Sequence, residues 1–337
     1  MLADPNRRRA LVAAAAAELG AAPGTLVSAG PEALVLTSML AGELRLPMAY
    51  LRPKPKNHGR QQRVEGELRG SVTLIAGDGD PEAMADYTAL VTERGASVGR
   101  VVPLPSQPKT RGGDGSGQPE MPPLRRRLPR PPSPANGRGA AAVARGLLDI
   151  GAVVIREEPF RYASGLLSPI YTDCRLLISH PAEWQAVLAG LSASLAKATF
   201  DLVDGVATSG IPHASVLAYR LDVPLAYVEG GVVRGQPAAG SRAVVVEDLV
   251  TTGKSVLEAT GTLRAAGVRA ERCCAIFTYD RLQPSLDEAG IAFEPLSDLS
   301  TLLDVGIAAG CFGPRERDAV LEWRRDPQGW TASHEPA

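Results

Sequence analysis

The amino-acid sequence predicts two α/β units, each built on a mostly parallel β-sheet, with a long linker between them. Strand-like and helix-like patterns alternate through both halves of the chain, as they do in parallel sheets with helical crossovers. Part of the first half is repeated in the second. The stretch 106–139 between them is rich in Pro, Gly and Arg and almost free of large apolar residues, which is typical of a disordered linker.

Composition narrows the classes of protein that the chain can belong to. Its 337 residues are enough for two cores, and a net charge of −1 gives no electrostatic reason to expect nucleic acid as a partner. Glu18 cuts short the apolar run near the start, and no later stretch reaches membrane-spanning length, so we expect no membrane partner. The four cysteines form no CxxC pair and have no His partner at metal-ligand spacing. A reducing, cytoplasmic location fits this usage.

The elements of the first half, residues 1–105, follow from hydrophobic periodicity and turn residues. Helices are predicted at 5–20, 31–44 and 81–94, and strands at 24–29, 47–51, 71–76 and 96–102.

The second half, residues 140–337, repeats this alternation. Residues 152–161 are predicted to form short strands of a small antiparallel subdomain. Helices are predicted at 140–151, 181–199, 212–221 and 256–266, strands at 205–208, 225–228, 243–246 and 269–279, and two or three more helices within 289–330.

The most informative stretch is 243–256, where a buried strand ends in two carboxylates and a Thr-Thr-Gly-Lys-Ser turn opens a helix. Such a junction offers backbone N–H groups, hydroxyls and the positive end of a helix dipole to an anion. The adjacent Glu247 and Asp248 suit the vicinal hydroxyls of a sugar and a developing positive charge. The pattern predicts a ribose 5-phosphate ligand. The alternative is a turn whose Asp and Thr merely cap the helix.

An internal repeat relates the two halves. Residues 40–50 align without gaps on 217–227, at an offset of 177, and Asp78 aligns on Asp248, at an offset of 170. The loop between these segments is therefore seven residues longer in the first half. Under this alignment Asp80 and Glu82 stand in the phosphate-binding turn, where they would repel phosphate. We expect the first half not to bind the sugar phosphate.

The longer loop of the first half, 52–60, reads Arg-Pro-Lys-Pro-Lys-Asn-His-Gly-Arg. Its prolines and glycine disfavour helix and strand. A mobile basic loop can close over a polyanion, neutralise a leaving pyrophosphate and exclude water. The alternative is a solvated charged hairpin.

These motifs resemble those of orotate phosphoribosyltransferases. The 243–256 stretch is similar to the loop that binds phosphoribosyl pyrophosphate (PRPP) in type I phosphoribosyltransferases, and 52–60 with the following Val64-Glu65-Gly66 resembles the flexible catalytic loop. The second half resembles the family over 140–330, with further matching motifs at 164–165, 168–171, 208–212, 276–279, 296–298 and 322–324. It departs from the family at 229–237, where a flexible loop with lysine and histidine is missing.

The resemblance implies two phosphoribosyltransferase-type, Rossmann-like parallel-sheet domains. The first, 1–105, is degenerate and truncated, and the second, 140–337, is catalytic with a small hood subdomain. In the family each site receives its flexible loop from the other subunit of a homodimer. We therefore interpret the chain as an internal pseudo-dimer in which the first half lends its loop, and pairing into a further homodimer stays open.

The implied reaction transfers 5-phosphoribose from PRPP to N1 of orotate, giving orotidine 5′-phosphate and pyrophosphate for pyrimidine synthesis. The implied cofactor is Mg²⁺, held mainly through PRPP rather than by protein side chains. The residues that the resemblance implies are Lys56, His58, Arg52 and Asp248 for catalysis; Glu247, Asp248, Leu249, Val250, Thr251, Thr252, Gly253, Lys254, Ser255, Thr208 and Ser209 for PRPP; and Thr251, Ile170, Tyr171 and Arg281 for orotate.

Three other interpretations stay open: a phosphoribosyltransferase for another base, an inactive regulator that senses PRPP, and a scaffold. His180 and His213 are interpreted as helix-start residues rather than ligands. Arg175 beside Asp173 suits a structural ion pair as well as an orotate contact.

Overall fold

A computed structural model describes residues 4–20, 24–54, 62–77, 80–104, 138–162, 165–196, 198–279 and 283–335. The predictions for Lys56, His58 and Arg281, and nearly all of the predicted linker 106–139, lie outside these ranges. Among the described residues, no helix combines the length and the apolar composition that a membrane span requires.

The first half is an α/β unit with a five-stranded sheet in the order β3-β2-β1-β4-β5. All neighbouring strands are parallel except β3, which pairs antiparallel with β2. Its elements are α1 (Pro5–Leu19), β1 (Thr25–Ala29), α2 (Pro31–Leu44), β2 (Met48–Leu51), β3 (Val64–Gly66), β4 (Ser71–Ala76), α3 (Pro81–Glu93) and β5 (Ser97–Pro103).

The second half carries a six-stranded sheet in the order β10-β9-β8-β11-β12-β13 and a separate antiparallel hairpin, β6-β7, which is the predicted hood. Again one edge strand, β10, is antiparallel. Its elements are α4 (Arg138–Asp149), β6 (Val153–Arg161), β7 (Leu167–Thr172), a 3₁₀ helix (Cys174–Ser179), α5 (Pro181–Leu195), β8 (Leu202–Val206), α6 (Gly210–Leu221), β9 (Leu225–Glu229), β10 (Val232–Arg234), β11 (Arg242–Val250), α7 (Lys254–Ala265), β12 (Arg269–Thr278), α8 (Gln283–Glu288), β13 (Ala292–Asp298), α9 (Leu299–Ala308), α10 (Pro314–Arg325) and α11 (Pro327–His334).

The two sheets share their order over five strands, as the internal repeat predicts. The agreement extends to single hydrogen bonds. Leu26 N–H donates to the Pro47 carbonyl at 2.9 Å, and Val203 N–H donates to the Pro224 carbonyl at 3.0 Å; the second donor and the second acceptor lie 177 residues after the first donor and the first acceptor. Helices α2 and α6 both end in a left-handed non-glycine residue, Arg45 and Asp222. The offset of 177 therefore holds from β1 through β2.

After the longer loop, the strand register corrects the predicted offset of 170. Leu26 pairs with Thr73, whereas Val203 pairs with Val244, so the offset along β4 and β11 is 171. The residue-by-residue match missed this because hydrogen bonding to the central strand, and not local sequence, sets the register. Glu247 and Asp248 therefore correspond to Ala76 and Gly77, and neither carboxylate has an acidic equivalent in the first half.

The halves pack against each other through the equivalent helices α2 and α6. Helix α2 is apolar nearly all round, as expected of a helix buried on every side, and one continuous core includes residues of both helices. The contact is close at Gly42, where an added Cβ would lie 2.6 Å from a methyl carbon of Val216. The arrangement is roughly two-fold: Arg8 of α1 donates to the Ala218 carbonyl on α6 at 3.3 Å, and Gln185 of α5 donates to the Gly42 carbonyl on α2 at 2.7 Å.

Candidate active site

Two adjacent carboxylates lie near the C-terminal end of β11, the strand between β8 and β12. Glu247 and Asp248 are 6% and 8% exposed, and Asp248 N–H donates to Glu247 Oε1 at 2.9 Å. In open parallel sheets, ligands bind in the crevice outside the carboxyl ends of the strands. The pair is therefore placed where a ligand is expected.

The loop after β11 leads directly into α7 and, with Glu247, lines a small concavity formed by residues 249–256. Gly253 has a left-handed backbone (φ 67°), and a Cβ there would lie 3.3 Å from Leu286. The N-cap residue of α7 is Gly253, which has no side chain and so cannot itself cap the first N–H groups of the helix. Thr251, Thr252 and Ser255 are exposed around these N–H groups. This is the geometry of an anion site at a helix N-terminus.

Thr208 and Ser209 lie next to the carboxylates. Helix α6 begins at Gly210 so close to β11 that a Cβ on this residue would overlap the Val246 carbonyl oxygen and lie 3.4 Å from the Cα of Glu247. The peptide bond that leads into Thr208 is cis. The predicted pyrophosphate residues and the predicted ribose residues are thus brought together at one end of the sheet.

Of the two hood residues predicted to contact orotate, only Tyr171 has a partly exposed side chain. Tyr171 is half-buried, its ring centroid lies 5.4 Å from that of Phe160, and its hydroxyl lies 3.2 Å from Arg175 Nη2. Ile170 is fully buried in the core, so any contact of this residue with orotate would have to be made by its backbone.

The 3₁₀ helix connects this hood segment to the carboxylates. Burial, together with the charges of Asp248 and Asp173, raises the pKa of the Cys174 thiol well above its usual value. The 3₁₀ helix also contacts β11, the strand that carries Asp248. Arg175 donates to Asp173 through Nε at 2.6 Å and Nη2 at 2.7 Å, which confirms the structural ion pair.

The segments of the first half on either side of its basic loop contact the 3₁₀ helix of the second half. Arg52 N–H donates to the Arg63 carbonyl at 2.7 Å, closing the base of the loop, and the Arg52 side chain is paired with Glu65. The Ser179 hydroxyl of the 3₁₀ helix donates to the Met48 carbonyl at 2.7 Å and accepts from the backbone of the first half. Ser179 thus joins the segments on either side of the loop, at Met48 and Glu67, to the second half.

Acidic and phenolic side chains lie at the positions of the first half that correspond to the predicted phosphate-binding residues of the second. Asp80 accepts a hydrogen bond from Glu82 N–H at 3.0 Å and so caps α3 with its own carboxylate. At the start of α2, a Cβ on Gly30 would lie 2.9 Å from the Tyr87 hydroxyl and 3.0 Å from a Glu32 carboxylate oxygen. Acidic and phenolic groups occupy the region that corresponds to the phosphate-binding surface of the second half.

Lys254 and His213, which the sequence analysis also considered, contact other residues of the fold. Lys254 is exposed, with its ammonium group 3.8 Å from Glu258. His213 is buried and accepts from Trp184 Nε1 at 2.9 Å, and burial lowers its pKa to about 3, which agrees with a packing role. The sequence reasoning did not single out Glu65, although a carboxylate directly after a basic loop is a detectable signal.

Curated relatives cover much of the chain at substantial identity, although no family model matches it. An orotate phosphoribosyltransferase of Coxiella burnetii is 39% identical over 204 residues, which is 57% of this chain and 98% of the relative. One of Bacillus cereus is 38% identical over 198 residues, 55% of this chain and 94% of the relative. The UMP synthase structure of Leishmania donovani has a TM-score of 0.52 at 20% identity and covers 96% of this chain and 80% of that one. That likeness concerns the fold alone, and it extends over both halves.

Proposed function

Because this chain belongs to the orotate phosphoribosyltransferase family, we propose that it joins the phosphoribosyl group of PRPP to orotate at the C-terminal end of β11. The observation that carries the location is the buried pair Glu247 and Asp248 beside the uncapped N-terminus of α7. Phosphate and sugar hydroxyls need different partners, and this junction offers both side by side.

The 5′-phosphate of PRPP binds at the loop from Leu249 to Ser255. Backbone N–H groups at the start of α7 and the exposed hydroxyls of Thr251, Thr252 and Ser255 donate to its oxygens. Gly253 lets the loop turn sharply into the helix, since its left-handed backbone disfavours residues with a side chain.

Glu247 and Asp248 hold the ribose. Their carboxylates accept hydrogen bonds from the ribose hydroxyls, and their negative charge stabilises the oxocarbenium character that builds up at C1 as pyrophosphate leaves. Because both side chains are almost fully buried, water screens this charge only weakly. Orotate then attacks C1 through N1, with Thr251, Tyr171 and Arg281 as its proposed contacts.

Thr208 and Ser209 donate hydrogen bonds to the leaving pyrophosphate. Mg²⁺ is implied by the family, but among the described residues no group of three or more His, Cys, Asp or Glu side chains is suited to hold a metal. A magnesium ion would therefore take most of its oxygen ligands from PRPP, with Glu247 or Asp248 as the available carboxylates, and when bound it offsets the negative charge of the leaving group.

The basic groups that complete the site come from the first half. Between β9 and β10 the second half has a two-residue turn, Gly230-Gly231, in which both residues have positive φ, so no basic loop fits there. The equivalent strands β2 and β3 are separated by the loop that contains Lys56 and His58. We assign these two residues, with Arg52, to the pyrophosphate, and this gives one working site per chain.

The test follows the loss of orotate absorbance with PRPP and Mg²⁺ in the intact chain and in Lys56→Ala. Removing one electrostatic contact to the transition state commonly lowers the rate by about 10² to 10³. Lys109→Ala, in the predicted linker, is the matched control and should leave the rate unchanged. If Lys56→Ala turns over orotate as fast as the wild type, the proposal that the basic loop of the first half completes the site of the second half is contradicted. Turnover with uracil or hypoxanthine but not orotate would favour another base, and PRPP binding without any turnover would favour a regulator.

A further inference from the structure

Glu65, in the middle of β3, is a buried carboxylate at the contact between the halves. It is 4% exposed. Arg52, from its own half, donates to Oε1 through Nε at 2.7 Å and also through Nη2. Arg175 of the second half places Nη1 at 3.9 Å from the same oxygen. One carboxylate oxygen therefore faces two guanidinium groups, one from each half.

Arg175 extends this contact to the hood. Its Nη2 donates to Asp173 at 2.7 Å and lies 3.2 Å from the Tyr171 hydroxyl. The side chain is 18% exposed and is held by Glu65, Asp173 and Tyr171 together. A planar guanidinium group with several fixed partners has a fixed orientation. Loss of one partner therefore changes its geometry toward the others.

Neutralising Glu65 would leave two guanidinium groups facing each other with little solvent between them. The side chains of Arg52 and Arg175 would then repel each other, and Arg175 would shift away from Arg52 about its ion pair with Asp173. Such a shift would withdraw or move the donor at the Tyr171 hydroxyl.

We propose that Glu65 is a positioning residue for orotate, acting through Arg175 on Tyr171. The inference rests on the proposed function, in which Tyr171 contacts the base. Glu65 itself touches no substrate. The first half thereby gains a second task besides lending basic residues, since it also shapes the base subsite of the second half.

The experiment measures kcat and the KM values for orotate and PRPP in the intact chain and in Glu65→Gln, which keeps the shape of the side chain and removes its charge. Displacing a substrate contact by about 1 Å can cost on the order of 10² in rate. We expect kcat/KM for orotate to fall about 10- to 100-fold. The KM for PRPP should change less than the KM for orotate, because the ribose and the 5′-phosphate are held by residues of β11 and the start of α7, and only the pyrophosphate contact of Arg52 is disturbed.

Two comparisons separate positioning from a general structural effect. Glu67→Gln alters a carboxylate at the same contact, which lies 3.6 Å from His180 and pairs with Arg69, and it should behave like the wild type. In a Tyr171→Phe background, Glu65→Gln should have little further effect on orotate, because the route to the base is already broken. An undiminished effect in that background would overturn the proposal.

A fall in both substrate affinities together with a lower melting temperature would also overturn it, since that pattern means loss of structure. If Glu65→Gln does not fold, Glu65→Asp keeps the charge and should retain more orotate affinity than Glu65→Ala. A wild-type chain that fails to consume orotate contradicts the proposed function itself. Normal wild-type turnover with an indifferent Glu65→Gln contradicts only the positioning role.

Discussion

Glu43 and Arg220 occupy equivalent positions of the internal repeat and form an ion pair with each other, with Arg220 Nε 3.1 Å from Glu43 Oε1. Around a true two-fold axis, a residue in this place would meet a copy of itself. Two glutamates or two arginines would repel there, whereas the divergence of the two halves has produced opposite charges. At this position the contact between α2 and α6 therefore favours pairing of the first half with the second over pairing of either half with a second copy of itself.

Reversing one charge of this pair should weaken the contact between the halves. Glu43→Arg places two arginines together, with the Arg220 side chain only 12% exposed, and should lower the free energy of unfolding by about 1–3 kcal/mol. The double variant Glu43→Arg/Arg220→Glu should recover most of that loss. Urea unfolding measures both.

Asp149→Arg provides the control for that cycle, because it breaks an exposed ion pair with Arg145 and should cost less than about 1 kcal/mol. If the double variant is no more stable than Glu43→Arg, the ion pair between Glu43 and Arg220 does not contribute to the free energy of unfolding.

Gly42 should not tolerate even one extra carbon. In Gly42→Ala the Cβ would lie 2.6 and 2.8 Å from the two methyl carbons of Val216, and overpacking of this kind typically costs about 1–3 kcal/mol. Gly261→Ala is a matched helical control with open space around it and should stabilise by roughly 0.5–1 kcal/mol. Thermal unfolding distinguishes the two. Val216→Ala should restore stability to the Gly42→Ala chain, and failure to do so would place the strain elsewhere.

Asp204 should make stability depend on pH. It is fully buried in β8, neither carboxylate oxygen has a hydrogen-bond partner among the described residues, and burial raises its pKa well above the usual value. Because the folded pKa is raised, the protonated group contributes stability below the unfolded pKa of about 4, and this contribution is lost as the pH rises through the folded pKa.

The first half shows what can replace it, since Val27 is the equivalent residue and is also fully buried. Asp204→Val should therefore raise the free energy of unfolding by about 1–3 kcal/mol at neutral pH. The gain should shrink toward about pH 4 in urea titrations at several pH values. A gain that stays constant with pH, or a loss, would contradict this account.

The two halves should respond differently to loss of an aspartate at corresponding ends of their sheets. Asp248→Asn removes a buried charge from the proposed ribose site and should lower kcat/KM by about 10² to 10³. Asp80→Asn alters the cap of α3, where asparagine also serves as a cap, and should leave turnover unchanged. Steady-state kinetics of the two variants measure this difference. Equal losses of kcat/KM would mean that the first half also contributes a binding site.

The elements with strong local signals were predictable from the sequence. The valine run and the Thr-Thr-Gly-Lys-Ser turn predicted a strand at 243–246 followed by a helix from 256, and the structure has β11 at Arg242–Val250 and α7 from Lys254. The two or three helices predicted within 289–330 are confirmed as α9, α10 and α11. Strand β13 was not predicted, because it has a proline and two acidic residues among its seven and is stabilised as a strand by pairing with β12. The short edge strands β3 and β10 were missed for a similar reason.

Features that depend on contacts between distant segments were not predictable. The offset of 171 follows from hydrogen bonding to the central strand, and the burial of the Ile170 side chain follows from packing of the hood. Glu65 lies beside Arg175 only because the halves meet. The sequence identifies the residue types at a site, but the surroundings that orient them are formed by the tertiary structure.

The packing of α2 on α6 within one polypeptide also removes a dependence on protein concentration. Two separate subunits that share a site dissociate on dilution, and their activity falls with them. Here the partner is covalently attached, so its effective concentration is set by the chain that joins the halves and does not change when the protein is diluted. Specific activity should stay constant down to concentrations at which a non-covalent dimer would have come apart.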